Sequence, residues 1–239
     1  GAFGDSVELR GSSFSSSEIA WSGIDVRPGG IARISYAVFR NAEVGVWAPL
    51  PESLRVDYCT LSNNQTYDIY AQGTTSALKV AIKNNTIMVG GGTGIKIVTG
   101  PIGGGTVSGN TITGSPASLD GIWIGDSGLL GASPNILSNT ISGFTMASGL
   151  LLDAGSAVVT KNTIKSCMYG IHCRGGTPKI GKGNDSTSDN FLGVSGLGNS
   201  EGIRVSSSGA PIIRNNQIRY NYCGIDIYDS GSPNLGVVN

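Results

Sequence analysis

The sequence predicts an all-β solenoid: a coil of short strands in which each turn lies on the one before. Three observations predict it. A phrase of the form N-x-I, with Leu192 in place of the Ile after Asn190, recurs along the chain, with its Asn at Asn85, Asn110, Asn139, Asn162, Asn190 and Asn216. A second phrase, G-I-x-I, follows most of them, as in Gly94-Ile95-Lys96-Ile97 and Gly121-Ile122-Trp123-Ile124. Gly, Ser, Pro and Asn fill the gaps, as tight turns require.

The period comes first, because a repeat constrains the whole fold. Ala37 and Cys59 take the Asn position in two earlier units, and successive steps range from 22 to 29 residues. So loose a period argues against leucine-rich or helical repeats. It suits a coil whose loops vary while its strands stay in register. Each unit carries three strand signals. G-I-x-I alternates with period two. A short apolar stretch precedes the Asn, as in "SAVVTKN" and "APIIRN". The N-x-I phrase is the third. Strands this short, three per turn, pair with their equivalents in the next turn rather than as hairpins.

This pattern resembles the right-handed parallel β-helix repeat of pectate-lyase-like proteins, over about residues 20 to 239. The implied fold is a single-stranded right-handed parallel β-helix of about nine rungs of three short strands. At ~4.8 Å per rung the rod would be about 40 Å long. The whole chain, residues 1–239, reads as one β-helix domain. Neither end shows an amphipathic capping helix. The expectation is therefore a piece of a longer chain, or ends that stack on neighbours.

Within each unit the residues take separate tasks. The Asn column is expected to make the bend, since Asn tolerates a left-handed backbone. Its amides are expected to bond to one another along the axis. Ile95 and Ile97, Ile122 and Ile124, Ile171 and Cys173, Ile203 and Val205, and Ile225 and Ile227 are expected to fill the bore. The x of G-I-x-I points outward. Down the rod it reads Asp25, Trp47, Tyr70, Lys96, Trp123, Leu151, His172, Arg204 and Asp226. The next outward column reads Arg27, Pro49, Gln72, Val98, Gly125, Asp153, Arg174, Ser206 and Tyr228.

Composition narrows the function classes. Sixteen basic residues balance sixteen acidic ones, so the chain lacks the basic footprint that nucleic acid demands. No apolar run approaches the ~20 residues that span a bilayer, so membrane insertion is not expected. The opening "GAFGDSVELRG" shows no basic and apolar leader pattern. Cys59, Cys167, Cys173 and Cys223 form no CxxC pair and are expected as free thiols. The low-charge, Ser/Thr/Asn-rich exterior and a loose likeness to secreted bacterial β-helix proteins point to an extracellular or cell-surface location.

Three function classes follow. The first is a non-enzymatic module that binds polysaccharide. Trp47, Tyr70 and Trp123 would stack on sugars, and Lys96, Asp153, Arg174, Arg204 and Asp226 would supply polar contacts. The second is a polysaccharide lyase or glycosidase, as the resemblance implies, resting on His172, Arg174, Arg204 and Asp226. The N-T-D, D-D, G-H-G and R-I-K motifs of polygalacturonases are missing. Asp153 and Asp226 are three rungs apart, roughly 14 Å by rung spacing, too far for a glycosidase pair. The third is a structural rod that associates end to end. No cofactor is expected. Asp185 and Asp189, in "GKGNDSTSDN", are weak candidates for Ca2+, without EF-hand or nonapeptide spacing. "GGGTGIKIVTG" lacks the Lys-Ser/Thr of a phosphate loop.

Overall fold

A computed structural model describes residues 6–10, 13–15, 21–73, 79–99, 105–125, 133–181 and 189–235. For 6–10 and 13–15 it describes the backbone only. The described residues form three parallel sheets of nine strands each, and no helix occurs among them. The order within each sheet is the order along the chain, so every turn adds one strand to each sheet. The chain is thus a parallel β-solenoid with three strands per rung. Seven rungs have a neighbour on both sides.

Each sheet corresponds to one strand signal. The first sheet takes the apolar stretches, from Ser6–Arg10 through Lys79–Lys83 to Ile212–Ile213. The second takes the N-x-I phrases, including Thr86–Met88, Thr111–Thr113 and Thr163–Lys165. The third takes G-I-x-I, including Thr93–Thr99, Asp120–Ile124, Tyr169–Cys173, Glu201–Val205 and Cys223–Ile227.

Parallel pairing places like over like. In the second sheet Leu61, Ile87, Ile112, Ile141, Ile164 and Leu192 form one vertical row, all fully buried. In the third, Ile69, Ile95, Ile122, Leu150, Ile171 and Ile203 do the same. β-branched side chains are stiff and suit this pleated stacking. Each fully buried side chain contributes about 1.5–3 kcal/mol. The expected bore residues are buried except in the last rung, where Ile225 is half-buried and Ile227 is 49% exposed. No described rung covers them.

The glycine of G-I-x-I has a steric cause. A Cβ on Gly121 would lie 2.5 Å from the carbonyl oxygen of Gly149, and one on Gly170 equally close to that of Gly202. Neighbouring rungs approach too closely there for a side chain.

The Asn column is a ladder. Each Nδ2 donates to the next Oδ1: Asn85 to Asn110, Asn110 to Asn139, Asn139 to Asn162 and Asn162 to Asn190, each at 2.9 Å, and Asn190 to Asn216 at 2.8 Å. The same oxygens of Asn110, Asn139, Asn162 and Asn190 accept the backbone N–H of the Asn before, at 3.0 Å. The bend itself is made one residue earlier than expected. Asn84, Gly109, Ser138, Lys161 and Asn215 hold positive φ, as do Tyr36 and Tyr58 before Ala37 and Cys59. The ladder Asn therefore satisfies the corner's polar groups rather than supplying the left-handed residue.

Candidate functional site on the third sheet

The outward x column forms as a continuous register. Asp25 pairs with Trp47, then Tyr70, Lys96, Trp123, Leu151, His172, Arg204 and Asp226 follow without a slip. Its two halves differ in character.

In the first half the side chains pack on one another. Trp47 and Tyr70 stack with ring centroids 4.1 Å apart, and Tyr67 tilts against Tyr70 at 5.2 Å. Tyr70 and Val98 are buried, and Tyr70 also donates its hydroxyl to Gln72 at 2.7 Å. The Lys96 ammonium lies 3.5 Å from the Trp123 ring centroid and 5.5 Å from that of Tyr67. A buried cation is tolerable there because the ring quadrupoles replace part of its hydration. The expectation that Tyr70 and Lys96 stand free on the surface is thus corrected. Both are 8% exposed, and their faces are spent on neighbours.

The second half is polar. Asp153 takes the Arg174 fork at 2.5 and 2.6 Å and the Trp123 indole N–H at 2.7 Å, so its oxygens are well supplied. The Arg174 side chain remains 44% exposed. His172 Nε2 lies 2.9 Å from Ser206 Oγ. Burial, reinforced by the Arg174 and Arg204 charges, pushes the imidazole down to about 4, so it is neutral near pH 7. Arg204 lies between the Tyr169 and Tyr228 rings, 4.9 Å from each centroid. It donates to the Tyr169 hydroxyl at 2.9 Å and to Glu201 at 3.3 Å, and Asp226 lies 3.8 Å away. Burial raises the Glu201 carboxyl above the usual range. Arg204 opposes that rise and the Asp226 charge adds to it. Tyr228, 60% exposed, borders the cluster.

Four residues of this region were missed in the sequence: Asp120, Ser148, Tyr169 and Glu201. They form a third outward column, three residues before each x. Strict alternation places an outward residue two before the x, but glycine or an equivalent occupies that point and the strand shifts phase by one. Burial raises the Asp120 carboxyl, which accepts the Ser148 N–H at 3.1 Å. A second short ladder was missed as well. Asn199 accepts the Cys167 N–H at 3.0 Å and donates to Asn221 at 3.0 Å. Its signal, N-x-x-G-I, is present in "NSEGI" and "NYCGI".

The four cysteines are unpaired. Among the described residues no three His, Cys, Asp or Glu side chains gather as metal ligands. Asp189 accepts from Gln217 at 3.4 Å, and Asp185 lies outside the described residues. No helix among the described residues is long and apolar enough to cross a membrane.

No curated protein and no solved structure matches the chain significantly. A family model described as a right-handed β-helix region matches residues 22–191, more than half of the chain. With three stacked parallel sheets and an unbroken register behind it, that match shows that the chain belongs to the right-handed β-helix family.

Proposed function

We propose that this chain is an extracellular or cell-surface β-helix module that binds polysaccharide without cleaving it. The contact surface is the second half of the third sheet's outer face. One observation carries the reading: Arg174–Asp153 and Arg204–Glu201–Asp226 lie on successive rungs beside the exposed ring of Tyr228. Planar donors paired with carboxylate acceptors suit adjacent sugar hydroxyls, and an aromatic face suits the apolar face of a sugar ring. The in-register stacking places these groups on one face before a ligand arrives, which limits the entropic cost of binding. Trp123 plays a supporting part, because its ring carries Lys96 and its N–H holds Asp153.

A panel of neutral and acidic polysaccharides, scored for binding and chain shortening in the same samples, tests the proposal. Binding without shortening is expected. Arg174→Ala and Tyr228→Ala should each weaken it about tenfold, Tyr228→Ala with unchanged unfolding temperature and Arg174→Ala with a lowered one, since it leaves the Asp153 carboxyl, 6% exposed, without its ion pair. Binding that ignores both substitutions would refute the assignment of this face.

A second reading, a glycosidase or lyase, draws on the raised Glu201 carboxyl beside Asp226 and Arg204. Two neighbouring carboxyl groups beside a guanidinium are the kinds of group that general acid–base catalysis uses. Shortening of any polysaccharide, abolished by Glu201→Gln, would favour it over simple binding.

A further inference from the structure

The first sheet, on a different face of the rod, carries a groove of about 760 Å³ across four consecutive rungs, from Arg33 past Arg55 and Lys79 to Thr106. Arg33 and Arg55 are direct neighbours in register, and Lys79 follows Ser53 one rung on. Arg55 makes a fork with Asp57 at 3.1 and 2.9 Å, and Ser35 donates to the same carboxylate at 2.9 Å. Arg33 and Lys79 are exposed, and neither makes a side-chain ion pair among the described residues. Glu8 stands beside Arg33 in register. At the corner, Tyr36 and Tyr58 stack with centroids 5.2 Å apart and planes within 7°, and they are 60% and 51% exposed.

We infer that this groove binds an acidic polysaccharide. Arg55 is already paired with Asp57, so Arg33 and Lys79 are the lining cations left to meet an anion. Among the described residues three lining cations stand against one lining carboxylate, Asp57, which gives the groove a positive sign in a chain of zero net charge. Cations stepping one rung at a time along a straight rod match a linear polymer with regularly repeated charge. The guanidinium fork fits carboxylate and sulfate groups alike. Tyr36 and Tyr58 are stacked on each other, which closes the slot between them to an inserted nucleobase. Their outer surfaces remain open to sugar C–H faces. Positive φ at both tyrosines holds the rings at the groove's edge.

The test measures binding of dextran sulfate, alginate, neutral dextran and single-stranded DNA at low and high salt. Dextran sulfate and alginate should bind at low salt and weaken as salt rises, because exposed charges are screened within about 10 Å at 0.1 M. Neutral dextran should not bind. The Arg33→Ala/Lys79→Ala double variant should lose about tenfold or more in affinity for both acidic glycans. Lys165→Ala, a cation on the second sheet outside both proposed surfaces, should leave that affinity unchanged, while Arg174→Ala reports the third-sheet site separately. If the double variant's unfolding temperature falls, Arg33→Gln and Lys79→Gln singly serve instead. Unchanged glycan binding in these variants, equal binding of neutral dextran, or DNA binding tighter than either acidic glycan would overturn the inference.

Discussion

Asp68 is the most unusual single residue in the chain. It occupies the position held by Gly45 and Gly94 in the adjacent rungs, so its carboxyl enters the bore. It is 1% exposed, accepts one hydrogen bond from Asn64 Nδ2 at 2.6 Å, and leaves Oδ2 without a partner. Burial pushes the carboxyl up from 3.8 to about 8. The folded state therefore keeps a proton that the unfolded chain releases between those values. Stability is fullest below about pH 4 and falls as pH rises toward 8, by at most about 1.4 kcal/mol per unit crossed. Asp68→Asn has no proton to lose. Its unfolding temperature should fall less steeply from pH 5 to 8 than that of the parent chain, the other titrating groups being common to both. Parallel curves would show that Asp68 is ionised in the fold. The sequence displayed this aspartate in "YDIYAQG", but not its depth, which is set by the rungs above and below. The same gap hid the fate of Tyr70 and Lys96. Outward direction follows from period two, whereas exposure depends on what packs outside. Asn64 shows it again: a glycosylation-type N-x-T by sequence, it is buried at a corner and bonded to Ala42 and Asp68.

At the scale of the strand, the fold was legible because packing demands recur at every turn. Ile and Val stack in the bore, Asn lines one corner, and glycine stands where rungs come closest. The phase shift at that glycine was not legible, so Asp120, Tyr169 and Glu201 escaped notice while Trp123, His172 and Arg204 did not. The glycine makes its own prediction, with an internal control. A Cβ on Gly121 would meet the Gly149 carbonyl oxygen at 2.5 Å and the Ile141 side chain at 2.7 Å. The equivalent Gly224, in the last rung, has nothing nearer than Ile218 at 3.8 Å. Gly121→Ala should therefore cost about 1–3 kcal/mol through overpacking. Gly224→Ala should be neutral or slightly stabilising through the unfolded chain. Chemical denaturation of the two variants decides it. Equal effects would mean that the glycines serve backbone freedom rather than clearance.

For the whole molecule, the governing fact is that each rung touches only its neighbours, so stability is close to a sum of rung and interface contributions. The interior rungs bury both outlooks of their bore residues: Ile122 and Ile124 are fully buried. Their equivalents in the last described rung, Ile225 and Ile227, are half-buried and 49% exposed. The ladder weakens in parallel. Asn110 and Asn139 are engaged on both sides, while Asn216 accepts from Asn190 and donates only to the carbonyls of Ile180 and Arg214. Opening free energy should thus fall toward the last rung. The fixed face of the third sheet should then be firmest around Trp123 and Asp153 and loosest around Asp226 and Tyr228. Amide hydrogen exchange measures this directly. The backbone amides of Asn110 and Asn139 should be protected about a hundredfold more than those of Cys223 and Tyr228. If polysaccharide binds the third sheet as proposed, saturating glycan should slow exchange at Cys223 and Tyr228 and leave Asn110 unchanged, since ligand binding stabilises the rungs it bridges. Uniform protection in the free chain would instead show that all rungs open together, and the additive picture of the rod would fail.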